Sequence, residues 1–360
     1  MISGETGTNQ ANLANRIDAD VKGVPAPTAQ IPYLHLLACP YCGGTMRQHE
    51  EELGCASCDR RFGFDGDIPL LFAPNDPDQF DRDVTDMVRE FYEENPFPNY
   101  EETDDVGALL DKARRGVFAR LLDEQLPFGI RILECGCGTG QLSNFLGIAR
   151  RAVFGTDVCL NSLRLADGFR KRNGLRHVQF LQMNLFRPAF PRGSFDVVVS
   201  NGVLHSTSDT YEGFRTLSKM VKPGGYLIIG LYHRYGRLAT DLRRLIFRCT
   251  RGRMLFLDPR LRKEGLGKAR RASWYADQYL HPHERKYTIG EVLRWLEPNG
   301  LRLIKSIPKT RFQDRFTADE RLFEPEPAGR PLERALIEWG QTFSGDREGG
   351  FFTVVAQREA

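Results

Sequence analysis

The stretch Ile130-Arg131-Ile132-Leu133-Glu134-Cys135-Gly136-Cys137-Gly138-Thr139-Gly140 decides the fold. An apolar strand pattern runs into an acid, and glycines then alternate at 136, 138 and 140. A second apolar strand over 152–156 leads to Asp157. Strand, glycine loop, helix, strand and acid together describe a βαβ unit that receives a nucleotide-like cofactor at the carboxyl ends of its strands. Glycine lets the backbone turn sharply and approach the ligand, and the helix beyond offers free N–H groups. The bland alternative is a tight βα connection with an acid downstream by chance.

The residues flanking the glycines separate two cofactor classes. A dinucleotide fingerprint wants glycine or alanine at 141, where this chain has Gln141. Glu134 suits a cofactor with an ammonium and a sulfonium better than one with a pyrophosphate. Asp157 is placed to bind the two ribose hydroxyls, and Val158 to pack on adenine. S-adenosylmethionine is therefore the expected cofactor.

Outward from this unit, strands are expected at 130–135, 152–156, 178–182, 195–199, 226–231, 301–306 and 351–357. Helices alternate with them near 140–148, 160–172, 208–221 and 288–297. Near-continuous apolar strands alternating with helices predict a doubly wound, mostly parallel α/β sheet of Rossmann-like type. The last strand is expected to be antiparallel. Upstream, apolar spacing predicts a helix over Val84–Glu94, stopped by Asn95-Pro96-Phe97-Pro98, and one helix over Gly107–Gln125. Insertions interrupt the rhythm at 234–287 and 308–348, the latter with a helix over Pro331–Phe343.

Further motifs follow in order: Phe195-Asp196-Val197-Val198-Val199, Leu204-His205, and Leu217 to Gly225 (LSKMVKPGG). With Glu134 to Gly140 they resemble the class I S-adenosylmethionine-dependent methyltransferases, most closely the group containing quinone-biosynthesis C-methyltransferases. The resemblance covers about 128–232 and continues through the last two strands. It implies that Glu134, Gly136, Cys137, Gly138, Gly140, Asp157, Val158, Asn184 and Asn201 line the cofactor. Family members usually carry aspartate where this chain has Asn184; the amide oxygen can take the same adenine amino group.

Before this domain, Cys39-Pro40-Tyr41-Cys42 and Cys55-Ala56-Ser57-Cys58 are separated by twelve residues. Two such pairs complete a tetrahedral site for a structural Zn2+ with no open position for chemistry. A unit of about forty residues has little core, so the metal would supply much of its stability. The remaining cysteines, 135, 137, 159 and 249, lie in apolar strand or helix patterns, which fits metal binding in a reducing cytoplasm better than a disulfide framework. With Asp65-Gly66-Asp67-Ile68-Pro69, the unit resembles the zinc ribbons that activate tRNA and protein methyltransferases and, less closely, the ribbon fused to guanine-N1 rRNA methyltransferases. It either buttresses the catalytic domain or grips substrate.

Charge is unevenly spread. Net charge is only +3, yet Pro74–Asp105 has twelve acids against Arg82 and Arg89. Arg234–Tyr287 has fifteen Lys/Arg against five Asp/Glu. Arg237, Arg243, Arg244 and Arg248 have the spacing that puts guanidiniums on one side of a helix, with Leu238, Leu242, Leu245 and Ile246 as apolar contacts. This insertion is the expected substrate lid, able to hold an anion; equally, the two charge blocks can pair with each other.

Candidate bases are His205, after the fourth strand, and Tyr232 and His233, after the fifth. His205 can instead only shape the pocket. The loop Asn201–Ser206 lacks the Asn-Pro-Pro-Tyr sequence of exocyclic-amine methylation and the Pro-Cys nucleophile of pyrimidine C5 chemistry. No apolar run approaches the ~18 residues of a membrane span, and the polar start has no signal-peptide core. The chain thus divides into a disordered leader (1–30), a zinc ribbon (31–73), a helical linker (74–127) and a methyltransferase domain (128–360). The expected activity is cytoplasmic methyl transfer to an O or C atom of a small-molecule or carrier-linked metabolite. RNA or protein methylation with the ribbon and lid docking the macromolecule is less favoured, and a non-catalytic adaptor that binds the cofactor comes third. The sequence leaves oligomeric state open.

Overall fold

Seven strands form one sheet in the computed structural model, which describes residues 31–97, 105–250, 253–262, 267–344 and 350–360. The expected leader lies outside the described residues. The strands are β1 (Arg131–Cys135), β2 (Ala152–Asp157), β3 (Val178–Gln182), β4 (Phe195–Asn201), β5 (Val221–Tyr232), β6 (Leu301–Ile307) and β7 (Phe351–Arg358). Their order is β6-β7-β5-β4-β1-β2-β3. β1 to β5 run parallel, and β7 inserts antiparallel between β5 and β6. From β1 the chain winds one way to β2 and β3, then returns to β4 and β5 on the other side. The crevice at the carboxyl ends of β1 and β4 is therefore the topological switch point, where such sheets bind ligands.

The helices are α1 (Thr85–Glu94), α2 (Val106–Arg115), α3 (Val117–Gln125), α4 (Gln141–Gly147), α5 (Leu160–Arg172), α6 (Thr210–Met220), α7 (Leu238–Cys249), α8 (Lys268–Tyr275), α9 (Ile289–Leu296) and α10 (Pro331–Ser344). Alternate strand residues feed two cores. Leu133, Phe154, Val198 and Leu227 pack with Phe214 and Leu217 of α6 and with Ile289 and Val292 of α9. Ile132, Val153, Val197 and Ile228 pack on the other face with Leu121, Phe145, Leu163 and Phe169 from α3, α4 and α5. The sheet is covered on both faces, as the apolar strand runs require.

The chain departs from expectation in three places. The single helix over 107–125 is two, because Gly116 is extended (φ −92, ψ 108) and separates α2 from α3. Glycine in a helix interior costs roughly 1 kcal/mol, so a break there is inexpensive. β5 begins at Val221, with a bulge between Val221 and Tyr226 that carries the Lys222-Pro223-Gly224-Gly225 turn. In α7 the apolar row faces outward: Leu238, Leu242 and Leu245 are all exposed. Arg237 and Arg244 turn inward instead, onto Glu284. The reason is electrostatic: the insertion's own buried acid attracts its nearest guanidiniums. The expected open row of cations is not formed.

The cysteine-rich unit builds short antiparallel strands Met46–His49, Glu52–Cys55 and Arg61–Phe62, then Phe64–Asp65 paired with Ile68–Pro69. Leu37, Leu53, Phe62 and Leu71 join the core that contains Leu133 and Phe154. Leu70 pairs with Gln182 beside β3, and Tyr33 packs edge-on against Phe154. Asp65 and Asp67 bind Arg164 (2.6 Å) and Arg170 (2.8 Å) of α5. The unit is packed into the larger domain and shares its core.

Candidate active site

Three of the glycines adopt the left-handed backbone that side chains resist: Gly136 (φ +76), Gly138 (φ +52) and Gly140 (φ +70). A Cβ at 136 would lie 2.3 Å from Val203 on the facing loop, so only glycine fits. Gly140 starts α4 and packs against Ala166 and Phe180, so this expected lining residue stands off the cavity wall. Glu134 is buried at the end of β1, where Ser143 Oγ donates to its carboxylate at 2.5 Å. Burial lifts its carboxyl to about 7. Asp157 accepts the N–H groups of Gly138 (2.8 Å) and Cys159 (2.9 Å), fixing the glycine loop to the end of β2. Burial raises its carboxyl despite these bonds.

These residues open onto a cavity of about 470 Å³. Glu134, Gly136, Cys137, Gly138, Asp157, Val158, Asn184 and Asn201 all lie on its wall. Asn184 also has a tethering task. Its amide donates to Ala73 O (2.9 Å) and Asn75 Oδ1 (2.7 Å), while its oxygen accepts from Phe186 N (3.0 Å). The residues that follow the cysteine-rich unit are thereby tied to the cavity.

At the far end, residues of the 234–287 insertion, the expected substrate lid, meet α1, whose place at the cavity the sequence did not disclose. α1 presents Thr85, Val88 and Tyr92 to the cavity, and Trp274, Asp277 and Gln278 come from α8 and the π turn Ala276–Leu280 behind it. Tyr232 and Phe351 add aromatic walls. The helical spacing over 84–94 was visible, but nothing in it marked Tyr92. Asp277 stands among aromatics in Trp274-Tyr275-Ala276-Asp277-Gln278-Tyr279, the one signal that could have drawn notice.

The candidate bases fall in different places. Tyr232 lines the cavity, accepts from Gln278 Nε2 at 2.7 Å and lies under the Arg237 guanidinium. Burial pushes its phenol upward. His205 lies behind Tyr232, ring centroids 4.1 Å apart, outside the cavity wall. Burial holds its imidazole down to about 3, so it takes no proton near neutrality. His233 is buried against Phe352, with Nδ1 accepting from Gly236 N and Nε2 facing Glu338 at 3.4 Å; it too is off the wall.

At the other site, the sulfurs of Cys39, Cys42, Cys55 and Cys58 all lie within 4.8 Å of one another. Backbone N–H groups of Gly44 and Ser57 point at Cys42 Sγ and Cys55 Sγ, at 3.4 and 3.3 Å. Four sulfurs that converge under amide donors can hold a metal ion.

Residues 133–229, from within β1 into β5, match the family described as a methyltransferase domain. This domain belongs to the class I S-adenosylmethionine-dependent methyltransferases. The chain is 29% identical over 233 residues to an uncharacterised protein of Synechococcus sp., covering 58% of this chain and 55% of that one. It is 34% identical over 104 residues to the demethylmenaquinone methyltransferase of Lactococcus lactis, covering 28% and 41%. With the ubiquinone biosynthesis O-methyltransferase of Rhizobium etli it shares 28% identity over 130 residues, covering 36% and 52%. The chain thus spans about half the length of the curated relatives it matches. The methyltransferase domain supplies the cofactor end of the cavity, while α1 and the π turn lie outside the matched span.

Proposed function

We propose that the chain transfers a methyl group from S-adenosylmethionine to an O or C atom of a small-molecule or carrier-linked acceptor. One observation carries this reading. A single cavity joins Glu134, the glycine loop and Asp157 at one end to Tyr92, Tyr232 and Asp277 at the other. Glu134 would take the cofactor's ammonium, Asp157 its ribose hydroxyls and Val158 its adenine. Bound there, the cofactor supplies an electrophilic methyl on sulfur, and the protein's task is to orient an acceptor and exclude water.

Its volume falls in the range of small-ligand pockets. The names of two relatives, for demethylmenaquinone methylation and ubiquinone-biosynthesis O-methylation, point the same way. The basic insertion speaks less for RNA than its composition suggests, since Arg237 and Arg244 are turned inward onto Glu284 and are not presented to a partner. Residues 31–73 are read as a ribbon whose cysteines hold a structural zinc ion, and its shared core favours a buttressing role. Residues 74–127 are the linker and 128–360 the catalytic domain. A cytoplasmic location accords with the reduced cysteines, and among the described residues no helix is long and apolar enough to cross a membrane.

The test is incubation of the purified chain and fractionated cell extract with labelled S-adenosylmethionine, followed by sorting into RNA, protein, lipid and small molecules. Label in small molecules or carrier-bound metabolites supports the reading. Label confined to RNA or protein overturns it.

A further inference from the structure

α8 does not end in an ordinary turn. Trp274-Tyr275-Ala276-Asp277-Gln278-Tyr279-Leu280 passes from α helix into a π turn over Ala276–Leu280, a local widening that re-aims side chains and recurs at functional sites. Here it puts adjacent residues, Asp277 and Gln278, on the wall of one cavity. Neither belongs to the cofactor end.

The carboxylate of Asp277 is held from two sides. Tyr92 Oη donates to Oδ1 at 2.8 Å, and Gln278 Nε2 donates to Oδ2 at 2.7 Å. The same amide nitrogen donates to Tyr232 Oη at 2.7 Å, while Gln278 Oε1 accepts from Arg237 at 2.5 Å. Arg237 is closed off by Glu284 at 2.7 Å. A carboxylate oxygen has room for about two hydrogen bonds, so each oxygen of Asp277 keeps one acceptor position. Burial raises this carboxyl, making it a better proton acceptor than an exposed aspartate. The charged and titratable groups that act on it are Tyr92 from α1, Tyr232 from β5, Arg237 from the head of α7 and Glu284, with Asp157 beyond Tyr92, and Arg260, 4.2 Å over the Trp274 ring, lines the same cavity.

Flat surfaces frame the acid. Phe97 and Trp274 lie 6.4 Å apart, and Tyr232 and Phe351 meet edge-on at 5.9 Å. All four line the cavity. Aromatic walls favour a planar ring, through stacked and edge-on contacts.

We infer that Asp277 is the acceptor-side base of the site, and that the acceptor is a planar aromatic compound bearing a hydroxyl group, methylated on oxygen. This rests on the methyl-transfer reading above and narrows it. In the step, the hydroxyl oxygen attacks the methyl carbon and forms the O–CH3 bond. The S–CH3 bond breaks, and its electron pair returns to sulfur, neutralising the sulfonium. The hydroxyl proton passes to Asp277. The products are an aryl methyl ether, S-adenosylhomocysteine and a protonated Asp277, which returns its proton to water when product leaves.

The probe is 4-nitrophenol, a dye whose ionisation is read from its colour near neutral pH, titrated into protein saturated with S-adenosylhomocysteine. A carboxylate facing its hydroxyl opposes formation of a second anion. The expected result is saturable binding with the bound dye's pKa raised by about one unit, a tenfold change in its ionisation. Asp277→Asn removes the shift and leaves S-adenosylhomocysteine affinity within about twofold. Tyr92→Phe takes a hydrogen bond from the carboxylate and enlarges the shift, a readout that does not depend on the asparagine variant folding. Failure of the dye to bind, an unshifted bound dye, or a shift that neither variant moves overturns the inference. Failure of S-adenosylhomocysteine to bind in calorimetry instead brings down the methyl-transfer reading beneath it, and the two failures are recorded separately.

Discussion

Glu93, near the end of α1, caps the helix that begins at Leu160: its carboxylate accepts the N–H groups of Leu160 at 2.7 Å and Asn161 at 3.0 Å. Those donors have no partner within α5, and an anion there also meets the positive end of the helix. The bond pair fixes α1, with Thr85, Val88 and Tyr92 on its inner face, over the cavity. An N-terminal cap contributes about 1 kcal/mol. Glu93→Gln should therefore lower overall stability only slightly, while weakening S-adenosylhomocysteine binding about tenfold, the equivalent of roughly 1.4 kcal/mol. Calorimetric titration of both proteins checks this; equal affinities would show that α1 does not close the site.

Glu134 makes cofactor affinity depend on pH. Burial lifts its carboxyl from an ordinary 4.5 to about 7. The folded-state value is the higher one, so between those pH values the folded chain binds more protons than the unfolded chain. Stability of the unliganded protein therefore falls as pH rises through that window, by on the order of 3 kcal/mol in total. A cofactor ammonium needs the ionised carboxylate. S-adenosylmethionine affinity should rise with pH up to about 7 and then level, with a proton released on binding below it. Glu134→Gln should abolish that dependence, weaken binding and raise the melting temperature of the unliganded protein at pH 8. Calorimetry in buffers of different ionisation enthalpy measures the proton release.

How much of this could be read in advance follows from where each signal is stored. Gly136, Gly138, Glu134 and Asp157 are legible because a close backbone approach and a fixed strand end admit few residue types. The paired cysteines are legible because two C-x-x-C turns suffice to bring four sulfurs within 4.8 Å of one another. The cavity's far end is different. Tyr92, Asp277 and Gln278 come from α1 and the π turn, 185 residues apart in the case of the Tyr92–Asp277 bond. No local pattern encodes such a meeting. The arginine row of α7 misled for the converse reason: helical spacing places Arg237 and Arg244 together, but it does not show that Glu284 awaits them. The glycine at 116 was in view, and only its extended backbone shows that it breaks the helix.

The cysteine-rich unit should hold one zinc ion per chain, and losing it should be felt across the whole molecule. Leu53, Phe62 and Leu71 belong to the same core as Leu133 and Phe154, so the two parts cannot lose structure independently. Metal binding at a site that does not exist in the unfolded chain adds directly to folding stability. Treatment with a strong chelator is expected to lower the melting temperature of a single cooperative transition and to weaken S-adenosylhomocysteine binding through Asn184 and Asn75. Elemental analysis before and after, with calorimetric melting, checks both. Two separate transitions would show that the unit folds by itself, and a metal-free protein with unchanged melting would remove the zinc assignment.

Glu284 holds the acceptor side together. Burial pushes its carboxyl up, but the Arg237 and Arg244 guanidiniums outweigh this and hold it at about 2. Arg237 is fully buried and donates through Nη1 to Gln278, which in turn positions Asp277 and Tyr232. Removing one partner of a buried pair leaves the other charge without compensation, at a cost of about 3–5 kcal/mol. Glu284→Gln should therefore destabilise the protein by that amount in urea unfolding at pH 7. Because the folded-state value lies below the unfolded one, the pair's contribution is present above about 4.5 and is lost as pH falls toward 2. The difference between wild type and Glu284→Gln should accordingly shrink with acidification. Glu284→Asp, which keeps the charge on a shorter arm, should recover part of the loss. A Gln variant as stable as wild type at pH 7 would show that Arg237 finds water or another partner, and that the network does not depend on this ion pair.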